Sequence, residues 1–392
     1  MELVPHLVAG LDFPTLPQQL VNGILLGAIY ALMALGYTMV YGVLRLINFA
    51  HGEVYMFGAY IALFVSYALG FRPDAVNPGP SSWVNLLLML LASMVVCAII
   101  GVAIERFAYR PMRKNSRIAS LITAIGVSLL LQYGGALFLP NSPQPSISEK
   151  VNPFRETQFS VTLVSPPASF QEAVAQAKPD FEAKAKAYQA YLDSTKADPF
   201  NLPAEGKALR TAKQTAETNY NVAQRALDTA GSRITVQAGQ IIILITTLVL
   251  MLILRHVVLF TKSGRAMRAV SLDFDSASLM GINVNSVITI VFVIGSSLAG
   301  AGAMMTTTFY GTPLSTFYGM LPGVKAFVAA VLGGIGNIPG AVLGGLLMGV
   351  AEILVVWAGY SSYRDAIAFV ILIVVLLFKP GGLLGSAKVE KV

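Results

Sequence analysis

The hydrophobic positions of this chain fall in long runs separated by short polar clusters. Crossing a hydrocarbon core of roughly 30 Å takes about 20 mostly apolar residues at 1.5 Å per residue. The runs that qualify are Leu20 to Val43, Val54 to Leu69, Val84 to Ile104, Ile118 to Leu139, Val236 to Leu254 and Val287 to Met305. Two further stretches, Val324 to Leu332 and Ala341 to Ala358, are divided by a glycine-rich break, and Ala366 to Phe378 comes last. This pattern predicts an all-α polytopic transmembrane bundle of eight or nine spans with one glycine-rich broken helix. Residues 1–140 carry four spans, 141–235 form an insertion, and 236–392 carry the rest, including an amphipathic segment over 264–283.

Polar clusters set the orientation. From Glu105 to Arg117 there are five basic residues against one acid, which places that loop in the cytoplasm by the positive-inside rule. Arg255, Lys262, Arg265 and Arg268 mark the connection after the fifth span in the same way, and Lys379, Lys388 and Lys391 mark the C-terminus. The three clusters agree on one topology. The insertion and the uncharged Phe309 to Leu321 loop then fall outside, as does the N-terminus, unless the first segment lies in the interface. Met1-Glu2 opens with no basic region and no small-residue cleavage site, so no removable signal peptide is expected.

Inside the insertion the composition turns to Ala, Lys, Glu and Gln from Ser169 onward, all good helix formers. Phe181, Ala185, Tyr188 and Leu192 share one helical face. Leu209, Ala212, Ala216, Tyr220, Ala223 and Leu227 share another. With Pro179 in the first turn of the first helix and a turn over Asp198–Pro203, the expected product is an extracytoplasmic antiparallel helical hairpin. Its charge is nearly balanced, which suits either a solvated spacer or a docking site for an external protein.

Composition supports the membrane assignment. Hydrophobic residues make up 55% and charged ones 12%, against roughly 25% charged in soluble domains, and mean hydropathy is +0.67. The insertion holds 11 of the 27 Lys/Arg and 10 of the 20 Asp/Glu, so the remainder is more apolar than the average. One cysteine, Cys97, excludes an intramolecular disulfide. With only His6, His51 and His256 beside it, no Cys/His metal site of the usual spacing is expected. Neither GxxxxGK[ST] nor GxSxG occurs, so no nucleotide-hydrolysing loop or hydrolase nucleophile is expected, nor a catalytic residue or cofactor. A pI near 9.4 reflects the loop clusters and gives no nucleic-acid face.

Three elements are candidates for function. At the junction of the first two spans, Asn48, His51, Gly52 and Glu53 bring polar groups and a close-approach glycine to the membrane boundary; they serve either a substrate pathway or the capping of a bent helix. From Gly333 to Gly345, seven of thirteen positions are Gly or Pro. Irregular backbone at membrane depth survives only inside protein or beside a cavity. Gly333, Gly334, Gly336, Asn337 and Gly340 are therefore pathway candidates, while Gly336, Gly340 and Gly344 also fit a small-residue helix interface. From Gly264 to Asn283, Ala266, Ala269, Asp273, Ala277 and Gly281 form one small face of an amphipathic helix, with Arg265 and Arg268 near its start. Such a face suits close docking of another protein.

These residues resemble a known family. Tyr37-Thr38-Met39-Val40-Tyr41-Gly42 with Ile47-Asn48-Phe49-Ala50-His51-Gly52-Glu53 is similar to the LivH-type permease subunit of branched-chain amino acid ABC transporters. So are Gly264-Arg265-Ala266-Met267-Arg268-Ala269 with Gly281-Ile282-Asn283, the Gly333 to Gly345 element, and Lys379-Pro380-Gly381-Gly382-Leu383-Leu384-Gly385. Urea and short-amide permeases resemble the same pattern. The resemblance implies a multi-pass protein of the cytoplasmic (inner) membrane that moves branched-chain amino acids by alternating access. It also implies a second permease subunit, two cytoplasmic ATP-binding subunits, and an extracytoplasmic solute-binding protein. Gly264, Arg265, Arg268, Ala269, Asp273, Ala277 and Gly281 match the segment that couples such permeases to the ATPases. The long insertion departs from that pattern. An ion-coupled transporter is the rival, with Glu53, Lys325 and Glu352 as its candidate groups.

Overall fold

The computed structural model describes residues 13–72, 80–113, 115–140, 147, 151, 153–154, 157–195, 202–311 and 313–385. Lys388, Lys391 and the first part of the expected Asp198–Pro203 turn lie outside these residues. The chain divides into two compact units, residues 1–21 with 159–235, and residues 22–158 with 236–392.

The second unit is the helical bundle. Its helices are α1 (Leu16–Leu44, entering from the first unit), α2 (His51–Ala68), α3 (Trp83–Ile104) and α4 (Arg117–Phe138). After the insertion come α7 (Ala238–Phe260), α8 (Lys262–Leu272), α9 (Phe274–Leu279), α10 (Val284–Phe309), α11 (Met320–Gly333), α12 (Ile338–Trp357) and α13 (Ala366–Phe378). Each apolar run of the sequence is a helix. Among the described residues, α1, α3, α4, α7, α10 and α12 are long and apolar enough to cross a membrane, while α11 and α13 are shorter.

Burial separates these helices by role. Helix α1 is buried along almost its whole length from Leu25 onward, whereas α3, α4 and α7 turn large side chains such as Ile99, Leu130 and Ile253 outward. In lipid, apolar surface gains nothing by leaving hydrocarbon, so helix association relies on close contact and on hydrogen bonds between helices. Small residues supply the contact. A Cβ on Gly27 would lie 2.6 Å from Leu346 Cα, so α1 and α12 touch backbone to backbone. Short polar side chains supply the bonds: Ser93 Oγ donates to Gly58 O at 3.0 Å, Cys97 Sγ to Val54 O at 3.3 Å, and Ser297 Oγ to Met94 O at 3.3 Å.

The glycine-rich break does more than interrupt a helix. The chain reverses between α11 and α12, so that Gly333 lies against Gly340 and Ala329 against Gly344. Gly334 has φ +104°, a conformation that a side chain would strain. Asn337 then caps α12, its Oδ1 accepting from Gly340 N at 3.1 Å. The C-terminal Lys-Pro-Gly-Gly-Leu-Leu-Gly segment closes over this turn, with Leu383 N and Leu384 N donating to Leu332 O and Gly333 O.

In the first unit, α5 (Ala168–Thr195) and α6 (Ala204–Ala230) pair antiparallel. Phe181 stacks on Tyr220 with centroids 5.7 Å apart, and Lys213 lies over Tyr188. Two features differ from expectation. Pro179 sits inside α5, eleven residues beyond its start. The residue whose carbonyl it deprives of a donor, Ala175, is exposed, so water can replace the lost bond. Two strands, β1 (Gln158–Val164) and β2 (Ser232–Gln237), also pair into a small sheet at the base of the hairpin, so the chain is not wholly α. Both segments carry β-branched residues, Val161, Thr162 and Val164 in one and Ile234, Thr235 and Val236 in the other. Gln18 grips β2 from both sides of Thr235, at 3.0 and 2.6 Å.

Candidate functional site

The polar junction between α1 and α2 is drawn into the bundle. Arg45 has φ +53°, uncommon for a residue with a side chain, and reverses the chain. The result puts His51 against Gly36, which lies about 12 Å along α1 from its Leu44 end at 1.5 Å per residue. Helix α2 therefore starts well inside the protein.

Asn48, His51 and Glu53 are all buried there. Tyr109 donates to Asn48 Oδ1 at 3.1 Å, His51 lies 4.6 Å from Tyr37 centroid to centroid, and Ser128 donates to Glu53 Oε1 at 2.7 Å. Four atoms of the cluster have no hydrogen-bond partner among the described residues: Thr38 Oγ1, Asn48 Nδ2, His51 Nε2 and Glu53 Oε2. Leaving a buried polar atom unmatched costs about 1–3 kcal/mol, so stability does not explain this group.

Opposite Glu53 begins α11. A Cβ on Gly52 would stand 2.7 Å from Gly319 O, and one on Gly319 would stand 3.0 Å from Glu53 Oε2. Two helix starts thus converge, and neither Ala50 nor Gly319 provides a side-chain cap for the N–H groups that follow. Tyr37 and Phe49 flank Phe327 at 6.0 and 6.2 Å, giving the junction an apolar wall.

Of the predicted pathway residues, the structure joins Asn48, His51, Gly52 and Glu53 but keeps Gly333, Gly334, Gly336, Asn337 and Gly340 apart. These lie at the other end of α11, about 20 Å along a 14-residue helix. The junction's partners instead include Gly319, from a loop that read as merely uncharged, Gly323 in the first turn of α11, Ser128, an isolated polar residue in an apolar run, and Tyr109, from the basic loop. Glu352, the ion-coupling candidate, is fully occupied. Tyr30 donates to it at 2.7 Å, Lys325 pairs with it at 3.0 Å and Arg364 also bonds it, while Lys325 reaches Asp365 at 2.6 Å.

The amphipathic segment is two helices where one was expected. Asp273 adopts extended backbone between α8 and α9 and caps α9, accepting from Asp275 N at 2.8 Å and Ser276 N at 2.9 Å. Those N–H groups hold its carboxyl below the usual carboxylate range. An aspartate that bonds the backbone two and three residues ahead competes with a continuing helix. The break also redirects the faces. Gly264 and Ala277 are buried inside the protein and Ala269 is half-buried, while Arg265, Arg268, Asp273 and Gly281 are exposed. Leu272, Leu279 and Met280 stand outward at 78%, 89% and 84% exposure. The outward surface therefore carries bulky apolar side chains beside its charges, while Gly264 and Ala277 are spent on internal contacts.

Next to it, the basic loop after α3 has a structural task that its charge count did not reveal. The helix loosens into a π turn over Glu105–Tyr109, which places buried Glu105 between Arg110 (3.0 Å), Arg113 and Thr289 (3.0 Å). Arg113 continues to Asn285 at 2.7 Å. One acid thus ties the end of α3 to the start of α10.

Taken together, a bundle of apolar helices, two helix starts meeting at an inward polar junction, and an exposed apolar segment beside basic loops define a multi-pass membrane permease. Residues 19–376 match the family described as branched-chain amino acid transport system / permease component. Among similar proteins, BraD of Pseudomonas aeruginosa, a high-affinity branched-chain amino acid transport permease, is 37% identical over 96% of this chain and 97% of its own length. LivH of Salmonella typhimurium is 34% identical over the same shares. A probable LivH of Methanocaldococcus jannaschii is 30% identical over 37% of this chain and 48% of its own. No solved structure matches. The chain belongs to the branched-chain amino acid permease family of ABC transporters and is a multi-pass protein of the inner membrane.

Proposed function

We propose that the chain is one membrane-spanning subunit of an ATP-driven importer of branched-chain amino acids, working with a second permease, two ATP-binding subunits and a solute-binding protein. The observation that carries this is the 37% identity to BraD over nearly the whole of both chains. Substrate passes the junction where α2 and α11 begin. Glu53 Oε2 is an open acceptor for an ammonium group, the uncapped helix starts are donors suited to a carboxylate, and Phe49, Phe327 and Tyr37 face an aliphatic side chain. The outward Leu272, Phe274, Leu279 and Met280 seat the segment on an ATPase from the cytoplasmic side. Its movement reaches the bundle through Met267 and Val270, which are buried among the core residues.

The test is leucine uptake into proteoliposomes holding the assembled complex. Uptake that requires ATP, the ATPases and the binding protein is expected. Uptake by this chain alone, driven by a proton gradient without ATP, would overturn the proposal.

A further inference from the structure

A cavity of about 1140 Å³ lies away from the polar junction, at the end of the bundle that carries the basic clusters. It is walled by the ends of α1, α7 and α8, by the turn between α11 and α12, and by the C-terminal segment. Its polar lining is Tyr41, Arg45, Arg255, Arg268, Ser271 and Asn337, and no carboxylate among the described residues lines it. Three guanidiniums therefore converge on one space. Two are held in place: Arg45 by its left-handed backbone and a 3.4 Å bond to Ser271 O, and Arg268 by Val258 O. Arg255 is exposed on α7.

The outer wall identifies the source of a fitting ligand. Val258 and Leu259 of α7 line the cavity, and the preceding turns of the same helix carry Ile245, Leu248, Leu252 and Ile253 outward in an apolar face. The cavity thus opens where a lipid-facing helix acquires its first positive charge, the level of the headgroups. Guanidiniums are matched to phosphate oxygens in charge and in planar, forked geometry. A free phosphate fits the same charges but has no use for the apolar face beside them.

We propose that this cavity binds the phosphate headgroup of an anionic phospholipid whose acyl chains lie along α7. The lipid bridges α1, α7 and α8, and so braces the amphipathic segment against the bundle. The proposal stands independently of the substrate.

The test uses the full chain within its transporter complex, delipidated in detergent and exposed to phosphatidylglycerol or phosphatidylcholine, with retained lipid measured by native mass spectrometry. Selective retention of phosphatidylglycerol is expected, weakened about fivefold by Arg255→Ala, largely preserved in Arg255→Lys, and resistant to inorganic phosphate. Arg106→Ala removes a charge from another exposed site near the basic loop and should leave retention unchanged. Equal retention of the two lipids, equal losses in Arg106→Ala and Arg255→Ala, or displacement by inorganic phosphate would each overturn the lipid site. Arg255 makes no described structural contact, so its variants keep their fold; an unchanged melting temperature checks this.

Discussion

Truncating Leu279 separates a docking surface from a packing surface. Its side chain is 89% exposed and two residues away from Ala277, which is 4% exposed. Leu279→Ala removes three carbons that contribute nothing to the isolated fold. If an ATPase covers them, the loss approaches 0.8 kcal/mol per carbon, and with partial coverage about 1–2 kcal/mol. That corresponds to roughly a 5- to 30-fold weaker complex. Met280→Ala should add a comparable loss. The assay is the affinity of purified ATPase subunits for the permease in lipid nanodiscs, read by biolayer interferometry, with the melting temperature of the permease as control. The alanine variants should lose affinity at unchanged melting temperature. Ala277→Leu should do the reverse, lowering the melting temperature first because the added carbons must enter a filled interior. Unchanged ATPase affinity in the Leu279→Ala/Met280→Ala double variant would refute the assignment of the outward face.

Four further outcomes are expected. Glu105→Ala leaves Arg110 and Arg113 without their carboxylate. Because Arg110 is about a third exposed, the cost falls below the 3–5 kcal/mol typical of a broken buried pair, to about 2 kcal/mol; a double-mutant cycle with Arg113→Ala on detergent stability would show no coupling if the pair were idle. Glu53→Gln keeps the Ser128 bond but removes the charge. It should raise the KM for leucine in the assembled transporter with insertion unaffected, and an unchanged KM would remove Glu53 from the pathway. Asp273 has a depressed carboxyl pKa, so its contribution is complete above the unfolded value near 4 and fades as pH falls through the folded value. ATPase association should therefore weaken under acid in wild type, with Asp273→Asn retaining association and losing that pH dependence; identical acid profiles would exclude the carboxylate. Replacing residues 168–230 by a short Gly-Ser link should leave the permease in the membrane, because a Cβ on Gly231 would already lie 2.9 Å from Val164 O; loss of the chain from the membrane fraction would make the hairpin structural.

The sequence by itself determined which segments are apolar helices, where the hairpin lies and to which family the chain belongs. All of these follow from local signals: run length, helical spacing, and short motifs around Asn48–Glu53, Gly264–Asn283 and Gly333–Gly345. Tertiary structure decided which of those motifs meet. Gly52 finds Gly319 and not Gly333, because α11 is a 14-residue helix whose start touches the polar junction while its end carries the glycine-rich turn. The small face does not stay on one side of α8–α9, with Ala277 buried and Asp273 exposed, because Asp273 satisfies backbone donors of the next helix and so breaks the first. Glu105 also accepts from Thr289, and Glu352 from Tyr30, across helices far apart in the chain. A residue's period along a helix is written in its neighbours, but the partner it faces depends on how several helices cross, and that is a property of the whole bundle.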